Sequence, residues 1–162
     1  MQTSKIEEAL LGVVEMQTLM GKLDAKPSKK DLLAQAKLIL EEAQELYQAI
    51  EQDEGEEQIL KETCDNLVVV FGMVAHLHMA GYNVWDAMQA VNSNNMTKFC
   101  NTQSEAAYTK IGFEATDSSQ EYTVKQLSYN KWGVFNASGK MMKPLGYQKC
   151  SVAKFTPSGK EK

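Results

Sequence analysis

Between Met1 and Phe99 the chain contains one proline, Pro27, and its apolar residues recur at helical spacing. Proline breaks a helix because it lacks an amide proton and its ring clashes with the preceding turn. A long proline-free stretch with an apolar period near 3.6 therefore points to helices. The spacing predicts four. The first runs from about Ser4 to Leu23. After a Pro-Ser-Lys-Lys-Asp linker, the second carries the stripe Leu32, Leu33, Ala36, Ile39, Leu40, Ala43, Leu46, Tyr47 and Ile50. The acidic stretch EQDEGEE reads as its end and a solvated turn. The third helix spans Ile59 to Met79 and stops at Gly81, a residue suited to a C-terminal cap, and the fourth spans Asn83 to about Lys98.

Beyond Cys100 the pattern changes. Thr102 and Glu105 are spaced as a capping box for a short helix ending at Gly112. EYTVKQL, KWGVF and the segment around Met141 read as strands separated by SYN and NASG, which predicts a hairpin or three-stranded meander. An isolated hairpin is marginal in water, so it is expected to lean on helices. The expected class is mainly α: a four-to-five-helix bundle with a small C-terminal β-hairpin or meander, divided into a helical domain over residues 1–99 and a short helix plus small β extension over 100–162. The final FTPSGKEK is expected to fray.

Composition narrows the function. A net charge of -4 and a pI near 5.3 supply no basic stripe, which excludes binding to duplex nucleic acid by counterion release. Cys64, Cys100 and Cys150 are odd in number and widely spaced, without Cys-x-x-Cys, so neither a zinc site nor a disulfide framework is indicated and a reducing cytoplasm suits them. The N-terminal MQTSKIEEALL has acids where an export signal carries positive charge. The longest apolar run, Leu67 to Ala75, is less than half of the roughly 20 residues a membrane span needs, so no membrane partner is expected.

The informative residues are acids. Glu41, Glu42 and Glu45 lie on the second helix, Glu62 and Asp65 on the third, and each Glu-x-x-acid pair shares a helix face. Solvated acids usually have Lys or Arg at i±3 or i±4. Glu42 has Leu38, Ile39, Glu45 and Leu46 there, and Glu62 has Gln58, Ile59, Asp65 and Asn66. Only Asp65 has a partner at that spacing, Lys61, while Glu41 is matched by Lys37. The Glu62–Asp65 face continues as Val69 and Met73, inside a stretch apolar all round, so it should be buried. Unpaired buried acids are costly unless a cation supplies the missing charge, and ligands that are all hard oxygens favour magnesium, with manganese as a substitute.

EEAQE at Glu41 to Glu45, ETCD at Glu62 to Asp65 and NSNNMTKF at Asn92 to Phe99 together resemble the MazG-like all-α nucleoside triphosphate pyrophosphohydrolases, whose superfamily includes phosphoribosyl-ATP pyrophosphohydrolase. The similarity spans Leu10 to Phe99, and SGKMMKPLGY looks like the hairpin extension of phage-type members. The resemblance implies hydrolysis of a nucleoside triphosphate to the monophosphate and pyrophosphate by attack of water at the α phosphorus. It implies Glu42, Glu45, Glu62 and Asp65 as metal ligands, and Glu41 or Glu42 as the group that orients or deprotonates the water. Asn92, Asn95 and Lys98 carry over as substrate contacts, Lys98 to phosphate, and the subunits are expected to form a homodimer or higher homo-oligomer. A deoxynucleotide is the expected substrate.

Two other classes compete. A di-iron bundle needs Glu-x-x-His pairs, and neither His76 nor His78 follows a Glu by three. A non-catalytic regulatory module would keep the metal and nucleotide but not turn over. His76 and His78, two apart, cannot chelate as an i, i+4 pair and read as packing or surface residues; Trp85 and Trp132 read first as core or interface.

Overall fold

The computed structural model describes residues 4–23 and 25–158. In chain order these form α1 (Lys5–Leu19), α2 (Lys29–Glu51), α3 (Glu56–Met79), α4 (Val84–Met96), α5 (Gln103–Thr116), β1 (Tyr122–Ser128), β2 (Lys131–Asn136), β3 (Met141–Met142) and a 3-10 turn, Ala153–Phe155. The protein is mainly α with a small C-terminal antiparallel sheet, as the periodicity predicts. No single helix among the described residues is long and apolar enough to cross a membrane.

The chain forms two compact units, Met1–Val84 with Phe155–Lys162, and Trp85–Lys154. This division differs from the change of composition at Cys100. Nearly all of α4 groups with the C-terminal elements, and the start of the expected frayed tail groups with the N-terminal helices, where the Asn83 amide donates to the Phe155 carbonyl at 2.9 Å. Residues 159–162 of that tail lie outside the described residues.

In the first unit, local signals set the helix ends. Ser4 with Glu7 and Ser28 with Asp31 form reciprocal capping boxes that start α1 and α2. Helix α1 ends at Leu19 instead of Leu23 because Gly21 takes φ +67°. Its amide donates to the Thr18 carbonyl and that of Lys22 to the Gln17 carbonyl, both at 2.9 Å, which closes a Schellman motif. Gly81, at φ +90°, ends α3 the same way, as expected. Helices α2 and α3 run antiparallel: Gln35 Nε2 donates to the Val69 carbonyl at 2.8 Å, while further along α2 Glu42 meets Glu62 and Asp65, earlier in α3.

This unit buries few large apolar side chains. Among the described residues its buried apolar side chains are Val13, Ala49, Ala75 and Ala80, whereas Leu33, Leu40, Tyr47 and Ile50 on α2 and Leu60 and Leu67 on α3 are exposed. On α2 the exposed residues Leu33, Leu40, Ala43, Tyr47 and Ile50, with the half-buried Ala36, alternate spacings of three and four, the seam pattern of packed helices.

In the second unit the sheet runs β1-β2-β3, a meander with antiparallel register Val124↔Val134 and Val134↔Met142. NASG forms the second turn, with Gly139 at φ +80° donating to the Asn136 carbonyl at 2.9 Å. The sheet leans on α5 through Cys100, Ala106, Tyr122 and Val134, and Phe113 stacks on Tyr122. Helix α5 starts with the Thr102 cap but passes Gly112 and continues to Thr116. Gly112 is not a stop: a Cβ there would lie 2.6 Å from Leu145 Cδ1, so the glycine permits close packing.

Candidate metal centre

The antiparallel pairing of α2 and α3 brings three of the predicted acids together. Glu42, Glu62 and Asp65 each offer a carboxylate oxygen within 4.8 Å of the others. Glu62 is 3% exposed, and Glu42 and Asp65 are half-buried. Glu62 Oε1 accepts from Gln58 Nε2 at 2.6 Å and from Lys61 Nζ at 2.9 Å, while its Oε2 is buried without a partner. Burial raises the Glu42 pKa above its ordinary 4.5, and the charges of Glu45, Asp65 and Glu62 add to the rise in that order. Three crowded carboxylates, one with an orphaned buried oxygen and one whose ionisation is opposed, fit a hard divalent cation on their donor chemistry.

One expectation needs correction. Glu62 has a cationic neighbour: Lys61 Nζ bonds both Glu62 Oε1 and Asp65 Oδ2 at 2.9 Å. Counting only i±3 and i±4 misses it, because the long lysine side chain folds back over the acid next to it in sequence. These bonds raise the Lys61 pKa above its usual range, so the ammonium stays charged. A cation at the three carboxylates has to displace that ammonium from shared oxygens. Lys61→Met is therefore expected to lower the half-saturating magnesium concentration roughly threefold, as measured by titration calorimetry, since exposed pairs of this kind are weak. Unchanged or weaker affinity would show that Lys61 does not compete.

The raised Glu42 pKa sets a second expectation. In the folded chain Glu42 holds its proton to higher pH than in the unfolded chain, so above pH 4.5 stability falls as pH rises through the folded value. A bound cation removes that cost. Saturating magnesium should accordingly raise the Tm by at least ~3 °C more at about pH 7.5 than at about pH 5. An equal rise at both would contradict binding at Glu42.

The remaining predicted residues are placed differently. Glu45 is exposed and not in the trio, though its charge acts on Glu42. Glu41 is exposed, and the expected Lys37–Glu41 ion pair does not form among the described residues; both side chains sit in solvent, where such a pair gains little. Asn92, Asn95 and Lys98 belong to the second unit. Asn92 is exposed, and Lys98 Nζ donates to Asn95 Oδ1 at 2.7 Å. Asn94, not singled out by sequence, is structural: its Nδ2 donates to the Gln148 carbonyl and its Oδ1 accepts from the Tyr147 hydroxyl. Of the two histidines, His76 is buried and His78 exposed.

Comparison of the chain with protein-family models, curated proteins and solved structures finds no match.

Proposed function

We propose that this protein is a metal-dependent pyrophosphohydrolase of the MazG-like type, converting a nucleoside triphosphate, a deoxynucleotide by preference, to the monophosphate and pyrophosphate. The observation that carries this reading is the convergence of Glu42, Glu62 and Asp65 from two antiparallel helices, with the orphaned Oε2 of Glu62 among them. Magnesium suits this oxygen-only set, and manganese can replace it. Glu42, Glu62 and Asp65 would hold the ion, with Glu45 a further ligand proposed from the sequence pattern. When bound, magnesium supplies charge against the phosphate oxygens and an acidified water.

In the proposed reaction the water oxygen forms a bond to the α phosphorus. The bond from that phosphorus to the bridging oxygen breaks, and its electron pair leaves with pyrophosphate. A carboxylate oxygen of Glu42 or Glu41 takes the water's proton. Asn92, Asn95 and Lys98 are proposed substrate contacts on the sequence pattern alone. Hydrolysis in ¹⁸O-water tests the site of attack. The label is expected in the monophosphate, and label in pyrophosphate would contradict the reading.

The working form is proposed to be a homodimer or higher homo-oligomer in which the exposed α2 seam meets a second copy. Three free cysteines support a cytoplasmic setting, and no single helix among the described residues is both long and apolar enough to cross a membrane. One observation favours a second reading, a nucleotide-binding regulatory module without turnover: the Lys61 ammonium already bonds two of the three carboxylates. Metal-dependent product formation separates the two.

A further inference from the structure

Two helical turns from the three carboxylates, along both α2 and α3, lies a second buried polar cluster. Gln35 stands seven residues before Glu42, and Gly72 seven after Asp65. Seven residues make nearly two turns, so each pair shares a helix face about 10 Å apart along the axis. The clusters therefore lie along the same α2–α3 interface.

Helix α1 joins them at Gly72. A Cβ at Gly72 would lie 2.7 Å from Gln35 Nε2 and 2.9 Å from Gln17 Nε2, so both amides occupy the space of a missing side chain. Gln17, Gln35 and His76 are 3%, 2% and 3% exposed. Buried polar atoms are normally paired, yet Gln17 Oε1 and His76 Nδ1 have no hydrogen-bond partner among the described residues. Beside Gln35 and His76 opens a cavity of about 310 Å³, lined by both and by Asp31, with Leu38 as an apolar wall and Lys22 and Lys26 also contributing.

This combination calls for a flat ligand with an apolar face and a polar edge. The lining is mixed in charge, since the Asp31 carboxylate, held ionised by its hydrogen bonds with Ser28, lines the same cavity as Lys22 and Lys26, and an uncharged ligand suits it. Burial lowers the His76 pKa despite the nearby Asp31, so the ring is neutral and Nδ1 can accept or donate according to tautomer. A side-chain amide offers both a donor and an acceptor, which matches the amide or amidine edge of a nucleobase.

We propose that this cavity receives the base of the nucleotide, its face against Leu38 and its edge read by Gln35 and His76, with Gln17 packed beside Gln35 at Gly72. The choice of ligand rests on the proposed triphosphate substrate. The cavity itself is independent of the metal.

The test uses the full chain with chelator present and uncharged deoxynucleosides, one base at a time, so neither metal nor phosphate contributes. The protein has two histidines, which makes their ring proton resonances easy to separate. One nucleoside is expected to shift the His76 resonance saturably while His78, exposed, stays fixed. Gly72→Ala, which crowds both glutamines, is expected to weaken that binding at least ~10-fold, and Glu62→Gln to leave it unchanged. Should Gly72→Ala fail to fold, Leu38→Asn, at a half-buried wall position, is expected to weaken binding in the same sense.

A His76 resonance that no nucleoside moves, or a foldable pocket variant that binds like the wild type, overturns the proposal. If hydrolysis proceeds while His76 stays silent, the base pocket alone fails. If nucleosides bind selectively but no triphosphate is hydrolysed, the enzyme reading alone fails.

Discussion

Glu62→Gln and Asp65→Asn are each expected to lower triphosphate turnover by more than ~100-fold, beyond what the loss of an outer-shell partner costs a metal site. Both substitutions keep the shape of the side chain and remove its charge. For Glu62 the argument is sharpest: its carboxylate is almost fully buried, one oxygen has no partner, and two further carboxylates crowd it. Removing the charge relieves repulsion from the other carboxylates and gives up only an ion pair with the exposed Lys61, which is worth little, so the Tm without metal should change little and the helical circular dichroism should stay normal. The Tm increase on adding magnesium should disappear. This separates loss of a metal ligand from loss of the fold, because a purely structural Glu62 would lower the metal-free Tm and leave the metal response in place. Wild-type turnover in either variant would sink the assignment of the carboxylates.

The second large effect concerns assembly. Leu40 is 70% exposed, at the middle of the α2 seam, and Leu67 on α3 is 49% exposed. Fully burying a leucine is worth roughly 1.5–3 kcal/mol, and a twofold interface counts each residue twice. Leu40→Glu should therefore weaken association by about 4 kcal/mol or more, roughly a thousandfold in dissociation constant. Sedimentation at micromolar concentration is expected to show a dimer or larger for the wild type and a monomer for Leu40→Glu. The monomer should also unfold at lower temperature, since among the described residues of the first unit the buried apolar side chains are Val13, Ala49, Ala75 and Ala80. A monomeric wild type with an unaltered Tm in Leu40→Glu would contradict the proposed interface.

Much of the fold was legible because one physical signal dominates the first hundred residues: few helix breakers and an apolar period near 3.6. Glycine was harder to read, since one residue type serves different ends. Gly81 ends a helix through its positive φ, and Gly21 does so four residues earlier than the apolar pattern suggests. Gly112 lies within α5 and makes room for Leu145. Only the surrounding backbone and packing distinguish these roles.

The same holds for the site. The i, i+3 spacing placed Glu62 and Asp65 on one face, but Lys61 escaped notice because a flexible side chain ignores helical-wheel spacing. The same spacing relates Glu42 and Glu45, yet Glu45 stays in solvent, so spacing alone does not tell which acids converge. The Gln17, Gln35 and His76 cluster was invisible because its members come from three helices and none carries a motif. The faint signal was polar residues at positions where the α1 and α3 patterns are otherwise apolar.

The most direct test of the central claim is release of pyrophosphate from a panel of ribo- and deoxynucleoside triphosphates and phosphoribosyl-ATP, with magnesium, manganese or chelator present. The account predicts monophosphate and pyrophosphate in equal amounts from at least one deoxynucleotide, with magnesium or manganese and not with chelator. Intact substrates throughout at high protein concentration, or cleavage that persists in chelator, would contradict it.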